Sequence, residues 1–325
     1  MITTVVGNYP KVPNRPRPAR LRNALNRLDR GAMTIDEIRQ IQDEVTKEVI
    51  DEQIEAGVQL ITDGQIRWDD EMTYFARGLN GVSLNGLFRY FDTNTYFRQP
   101  VIEGAIGWQG PVTVRDWEFA SAYSSRPVKA VLPGPYTLAR ASIDRHYGES
   151  MEDLADAFAR AVNEEAKALT AAGAPAIQVN EPFLTAHKED VTIARRAIDV
   201  AFDGVSAEKH LALYFGDVEG ILGALVDCNA DVIGLDFVMG PANFDAIRSV
   251  SLGQKLCAGL IDARNTRMET REGLGTSVKR ITEAISADRL LLSPNMGLEF
   301  LPRERAQEKL KLMTTTAAAL EEVPA

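Results

Sequence analysis

Eight short apolar runs alternating with amphipathic stretches limit this chain to few folds. The runs are Thr3 to Val6, Gln59 to Thr62, Val128 to Leu132, Ile177 to Val179, Leu211 to Phe215, Val232 to Leu235, Lys255 to Ile261 and Leu290 to Leu292. Such alternation is the pattern of parallel βα units. Between them lie helical segments such as Thr34 to Ala56, opened by Thr34 with Glu37 as a capping box, and Met151 to Ala172, closed by Gly173 and followed by Pro175. Eight strands without a glycine-rich first turn predict an α/β fold of the (β/α)8 TIM-barrel kind rather than a doubly wound sheet.

At 325 residues the chain suits one barrel domain spanning 1–325. A net charge of -10 argues against nucleic acid and anionic membranes as partners, which leaves a small-molecule substrate, with a homo-oligomer open. No apolar run reaches 18 residues and no signal peptide is evident, so a cytoplasmic protein is expected. Two cysteines, Cys228 and Cys257, make no disulfide framework and read as small core fillers.

Two segments interrupt the alternation. Residues 10–30 hold four prolines and six arginines, an extended arm that is either a solvated connection or a cover for the active site or a partner subunit. Residues 66–126, after the second strand, are too long for a βα loop and rich in aromatics, among them Trp68, Tyr90, Phe91, Tyr96 and Phe97. This insertion belongs at the catalytic face, where it can serve as lid or pocket wall.

Barrel enzymes place their working groups at the C-terminal ends of the strands. Found there are Asn8, Asp63 with Gln65, Asn180 with Glu181, Tyr214 with Asp217, Asp236, Asp262 with Arg264, and Asn295. Any one could be a helix cap or a rim hydrogen bond, and Asp217, just before a helical pattern over 218–228, reads better as a cap. Together they are harder to dismiss, because buried polar groups cost stability unless paired or used.

The stretches TTVVGNYP (3–10), DGQIRWDDEMTYFARGLNG (63–81), VKAVLPGPYTL (128–138), IQVNEP (177–182), LYFGD (213–217), GLDFV (234–238), LIDAR (260–264) and SPNMG (293–297) resemble, in order, the strands and loops of the cobalamin-independent methionine synthase catalytic domain. The resemblance implies a barrel methyltransferase with a methyl-folate donor. In that family a His-x-Cys pair, a Glu and a Cys hold one zinc, and the matching residues here are Ala212, Tyr214, Asp236 and Met296. The family's amino-acid-binding carboxylates match Gln65 and Asn180, its folate-stacking tryptophan matches Arg140, and its catalytic histidine matches Arg264. Glu181, Asp262 and a glycine and proline skeleton are kept.

Zinc thiolate chemistry needs sulfur and imidazole ligands, and only His146, His187 and His210 are available. Sliding His210 into the His slot would still leave Ala212 in the Cys slot. A zinc held by one histidine with carboxylates, or a harder cation on Asp63, Asp236 or Asp262, is left open with no specific ligand spacing. The expectation is therefore a methyltransferase on a small molecule without zinc thiol activation. In it Glu181, Tyr214 or Asp236 acts as base, Arg264 and Arg140 anchor an anion, and Asn8, Asp63, Gln65, Asn180, Asp262 and Asn295 bind substrate. A lyase or hydrolase on a small anionic substrate and a non-catalytic binding barrel are the alternatives. The polar replacements Tyr214, Asp236 and Arg264 weigh against the last.

Overall fold

The computed structural model describes residues 1–12 and 19–321, so the middle of the proline-rich arm, 13–18, lies outside the described residues. Among the described residues ten strands occur in chain order: β1 (Ile2–Thr3), β2 (Leu79–Arg89), β3 (Tyr96–Trp108), β4 (Ala130–Pro133), β5 (Ile143–Asp144), β6 (Ala176–Asn180), β7 (Glu208–Leu213), β8 (Val232–Asp236), β9 (Lys255–Ile261) and β10 (Leu290–Pro294). Seven of them form a parallel sheet in the order β1-β10-β9-β8-β7-β6-β4. Two single parallel bridges, Thr4 to Leu60 and Ile61 to Val128, complete the ring.

The predicted strand 59–62 is thus reduced to bridge residues, and the reason is local. The Thr3 carbonyl accepts from both Gln59 N and Leu60 N, while Thr3 N is taken by the Gln59 side chain at 2.9 Å, which interrupts the ladder. Beyond it Gly64 and Gln65 both turn through positive φ, ending the strand. The predicted helix over 218–228 shortens to Leu222–Leu225.

Helices wrap the outside of the ring. The longest, Met151–Ala172, is capped by Ser150 and stopped by Gly173 at φ +104, and its small residues Ala155, Ala159 and Ala166 are fully buried. The capping box predicted for Thr34 and Glu37 is present in both directions.

Residues 66–126 carry a four-residue helix (Thr73–Ala76), the antiparallel β2–β3 hairpin and a helix at Val114–Tyr123. Glu165 on the long helix anchors them. Its carboxylate accepts from Trp108 Nε1 at 2.7 Å, from the backbone of Val112 and Thr113, and from the Thr113 hydroxyl at 2.8 Å. So secured, the hairpin leans over the ring with its tip on the ends of the opposite strands. Phe91, at φ +51, stacks on Phe215 at 4.5 Å and meets Phe183 at 4.7 Å. The left-handed backbone at Phe91 and Phe215 is uncommon for bulky side chains and persists here because the rings pack.

Candidate active site

A cavity of about 700 Å3 opens at the C-terminal ends of the strands. Asn8 after β1, Glu71 after the bridge strand, Tyr90 on the hairpin, Glu299 after β10 and Lys11 on the arm contribute to its walls. The Asn8 amide donates to Glu71, and Lys11 Nζ donates to the Trp68 carbonyl. Burial pushes the Glu71 carboxyl up to about 7, against the hydrogen bonds from Asn8 and Asn180 and the field of Lys11. Glu299 is held well above the ordinary carboxylate range, first by burial and then by the field of Glu71. Burial also lowers the Lys11 ammonium, opposed by the surrounding acids. Two carboxylates therefore meet one ammonium in a poorly solvated place.

Behind this cavity, polar side chains line the top of the barrel. Gln178 Nε2 donates to Asn180 Oδ1 at 2.7 Å. The Tyr214 and Tyr90 hydroxyls lie 3.4 Å apart, and burial keeps both phenols protonated far above neutral pH. Gln65 is 1% exposed and packs against Gly7, and neither atom of its amide has a hydrogen-bond partner among the described residues. An unpaired buried amide is costly, so it points to a ligand or water at that spot.

The expected site residues divide into those facing this region and those committed elsewhere. Asn8, Asn180 and Tyr214 face it, and Gln65 packs beside it. Glu181 is fully buried and accepts from Tyr136 N (2.9 Å), Thr137 N (2.8 Å) and the Thr137 hydroxyl (2.7 Å). Its carboxyl is pushed up to about 7 by burial, and a Cβ at Gly134 would collide with it, so it fixes the β4 and β6 loops. Asp236 accepts from the backbone of Phe215, Val238 and Met239 and from Asn295 Nδ2, whose Oδ1 in turn takes Ala263 N. Burial raises the Asp236 carboxyl to about 6 despite these donors.

Asp262 shapes its own turn by accepting from Arg264 N and Asn265 N. The Arg264 guanidinium reaches neither Asp236 nor Asp262. It pairs with Asp92 at the hairpin tip at 2.8 Å and lies over the Phe215 ring. Arg140 is exposed and meets His187 at 3.1 Å, while Asp63 faces a small cavity between the ring and the outer layer near Trp117 and Lys129. Asp217 accepts from Glu219 N at 3.0 Å and from Lys188, so it fixes a turn and not the expected helix cap, because the helix begins only at Leu222 behind Ile221. His210 sits low on β7, paired with Glu208 at 2.8 Å and held down to about 4 by burial.

Lys11, Glu71 and Glu299 are not among the expected site residues, because none of them directly ends a strand, whereas Tyr90 lies in the aromatic segment 66–126 and lines the cavity. A signal was available at Glu299, a lone acid between Leu298 and Phe300 just after a strand.

A closed ring of parallel strands with ionisable groups gathered at its C-terminal ends defines an enzyme barrel. The chain belongs to the cobalamin-independent synthase catalytic-domain family, whose model matches residues 1–319. Methionine synthase from Saccharolobus solfataricus is 30% identical over 315 residues, covering 96% of this chain and 92% of the relative. That of Sulfurisphaera tokodaii is 30% identical over 310 residues, covering 95% and 89%. Among solved structures, a B12-independent methionine synthase from Shewanella in complex with selenomethionine superposes with a TM-score of 0.84 at 23% identity, covering 98% of this chain and 97% of that one. A putative vitamin-B12 independent methionine synthase from Listeria monocytogenes gives 0.80 at 19%, covering 98% and 99%. Accordingly the chain is a methyltransferase of methionine-synthase type. Among the described residues no helix is long and apolar enough to cross a membrane.

Proposed function

We propose that this enzyme moves a methyl group from a methyl-folate donor to a small acceptor without a zinc-bound thiolate. The observation that carries this reading is the chemistry at the four strand-end positions. Ala212 offers a methyl group, Met296 a fully buried thioether, Tyr214 a phenol far from ionising, and Asp236 a carboxylate already engaged by four donors. Zinc favours thiolate, imidazole or uncommitted carboxylate, so this donor set does not fit it. The place left for the acceptor is the cavity beside Asn8, Glu71, Tyr90 and Glu299, walled in part by the hairpin.

The test is methyl transfer from radiolabelled methyltetrahydrofolate to a panel of thiol, selenol and amine acceptors, with and without a strong chelator. Chelator-insensitive transfer by protein lacking stoichiometric zinc is expected. About one tightly held zinc per chain, with activity lost on its removal, would return the plain family chemistry.

A further inference from the structure

The charges around Glu71 and Glu299 do not balance from within. Lys11 supplies one positive charge against the two carboxylates, and it is itself weakened by burial. The Asn8 and Asn180 amides solvate Glu71 but add no charge. Glu299 Oε2 is inaccessible to solvent and has no hydrogen-bond partner among the described residues. The neighbouring charges are occupied or peripheral. Asp70 accepts from Met72 N and Thr73 N, Asp69 pairs with Arg77 at 2.7 Å, and Arg22 lines the rim from the helix Arg20–Asp29. Tyr90 and Tyr214 stay neutral. One excess negative charge remains in a poorly solvated place, and only a proton or a bound cation can neutralise it.

We propose that Glu71 and Glu299 form a proton-for-cation exchange site, sharing one proton when no ligand is bound and releasing it to solvent when an organic ammonium group of the acceptor enters between them. An organic cation fits better than a metal ion. The same cavity presents the aromatic side chains of Tyr90, Tyr96, Phe97 and Phe300, surfaces that attract alkylated ammonium groups. The described residues contain no cluster of three or more metal-type side chains, whereas hard cations demand six or more oxygens. The exchange breaks only a carboxyl O–H bond, with the proton leaving to water. This inference rests on reading the cavity as the acceptor site, but its test needs no methyl transfer, so the two can fail separately.

The experiment is calorimetric titration of the full-length protein near neutral pH with n-butylammonium chloride and, separately, sodium butanoate, in buffers of different ionisation enthalpy. Butylammonium should bind with release of on the order of one proton per chain, and butanoate should not bind. Glu71→Gln and Glu299→Gln should each weaken butylammonium by about tenfold or more and abolish the proton release. Should either variant fail to fold, the other variant and the parent's buffer dependence still decide the matter. No butylammonium binding, binding without proton release, unchanged affinity in a folded variant, or an equal response to potassium chloride would each overturn the proposal.

Discussion

The floor and the mouth of this barrel both bury ionisable groups, but those at the floor find partners whereas Glu71 and Glu299 at the mouth lack a full set of counter-charges. Inside the ring Lys129, 1% exposed, donates to the Val5 carbonyl at 2.9 Å and to Gln178 Oε1 at 2.6 Å, and burial lowers its ammonium to about 8. Glu208 is shared by His210 and Lys255, which hold its carboxyl down to about 2. Cys257 donates to Ser293 at 3.3 Å. At the mouth, by contrast, Glu71 and Glu299 are pushed towards their neutral forms and Gln65 has no partner. Groups that close on themselves stabilise a fold, whereas groups left wanting a counter-charge are poised for a ligand.

Lys129→Met offers the largest test of this contrast. It leaves the Val5 carbonyl and Gln178 without their donor, so urea denaturation should show a loss of about 2 kcal/mol. Butylammonium affinity of the folded protein should not change. A matching loss of affinity would mean that floor and mouth form one network.

A smaller effect, of opposite sign, is expected from Glu71→Gln. An acid whose folded pKa is raised binds more protons folded than unfolded between its two values, so the parent loses stability as pH rises from about 4.5 through about 7. The neutral amide is spared that loss. Melting temperatures of parent and variant should therefore diverge in favour of the variant between pH 5 and pH 8, by the equivalent of about 1 kcal/mol or more. A constant difference across that range would mean Glu71 is already ionised and paired, like the residues of the floor.

Arg264→Ala should disturb stability least. Its partner Asp92 is mostly exposed, and such pairs contribute under about 1 kcal/mol. The tip of the hairpin at 90–95 should nevertheless exchange its amide hydrogens faster, because the guanidinium bridges that tip to the loop after β9. A large fall in melting temperature would place Arg264 with the structural ion pairs instead.

Much of the fold was legible in the chain because it rests on local periodicity. The apolar runs at Lys255–Ile261 and Val232–Asp236 are continuous, as strands covered on both faces must be, and Thr34, Glu37 and Gly173 announce helix ends by their own chemistry. Strand-end position also placed Asn8, Asn180 and Tyr214 at the mouth without any coordinates. What no local pattern could supply was which charges would meet. Glu71 and Glu299 are 228 positions apart in a chain of 325, yet they share one cavity because β10 pairs with β1, whose end carries Asn8 beside them. Likewise Arg264 reads as an anion anchor in sequence, until the hairpin brings Asp92 across the ring to meet it. Periodicity determined the barrel, because burial acts residue by residue. Only the tertiary structure decided which carboxylates are satisfied, because electrostatic energy depends on distances through space that the order of residues does not contain.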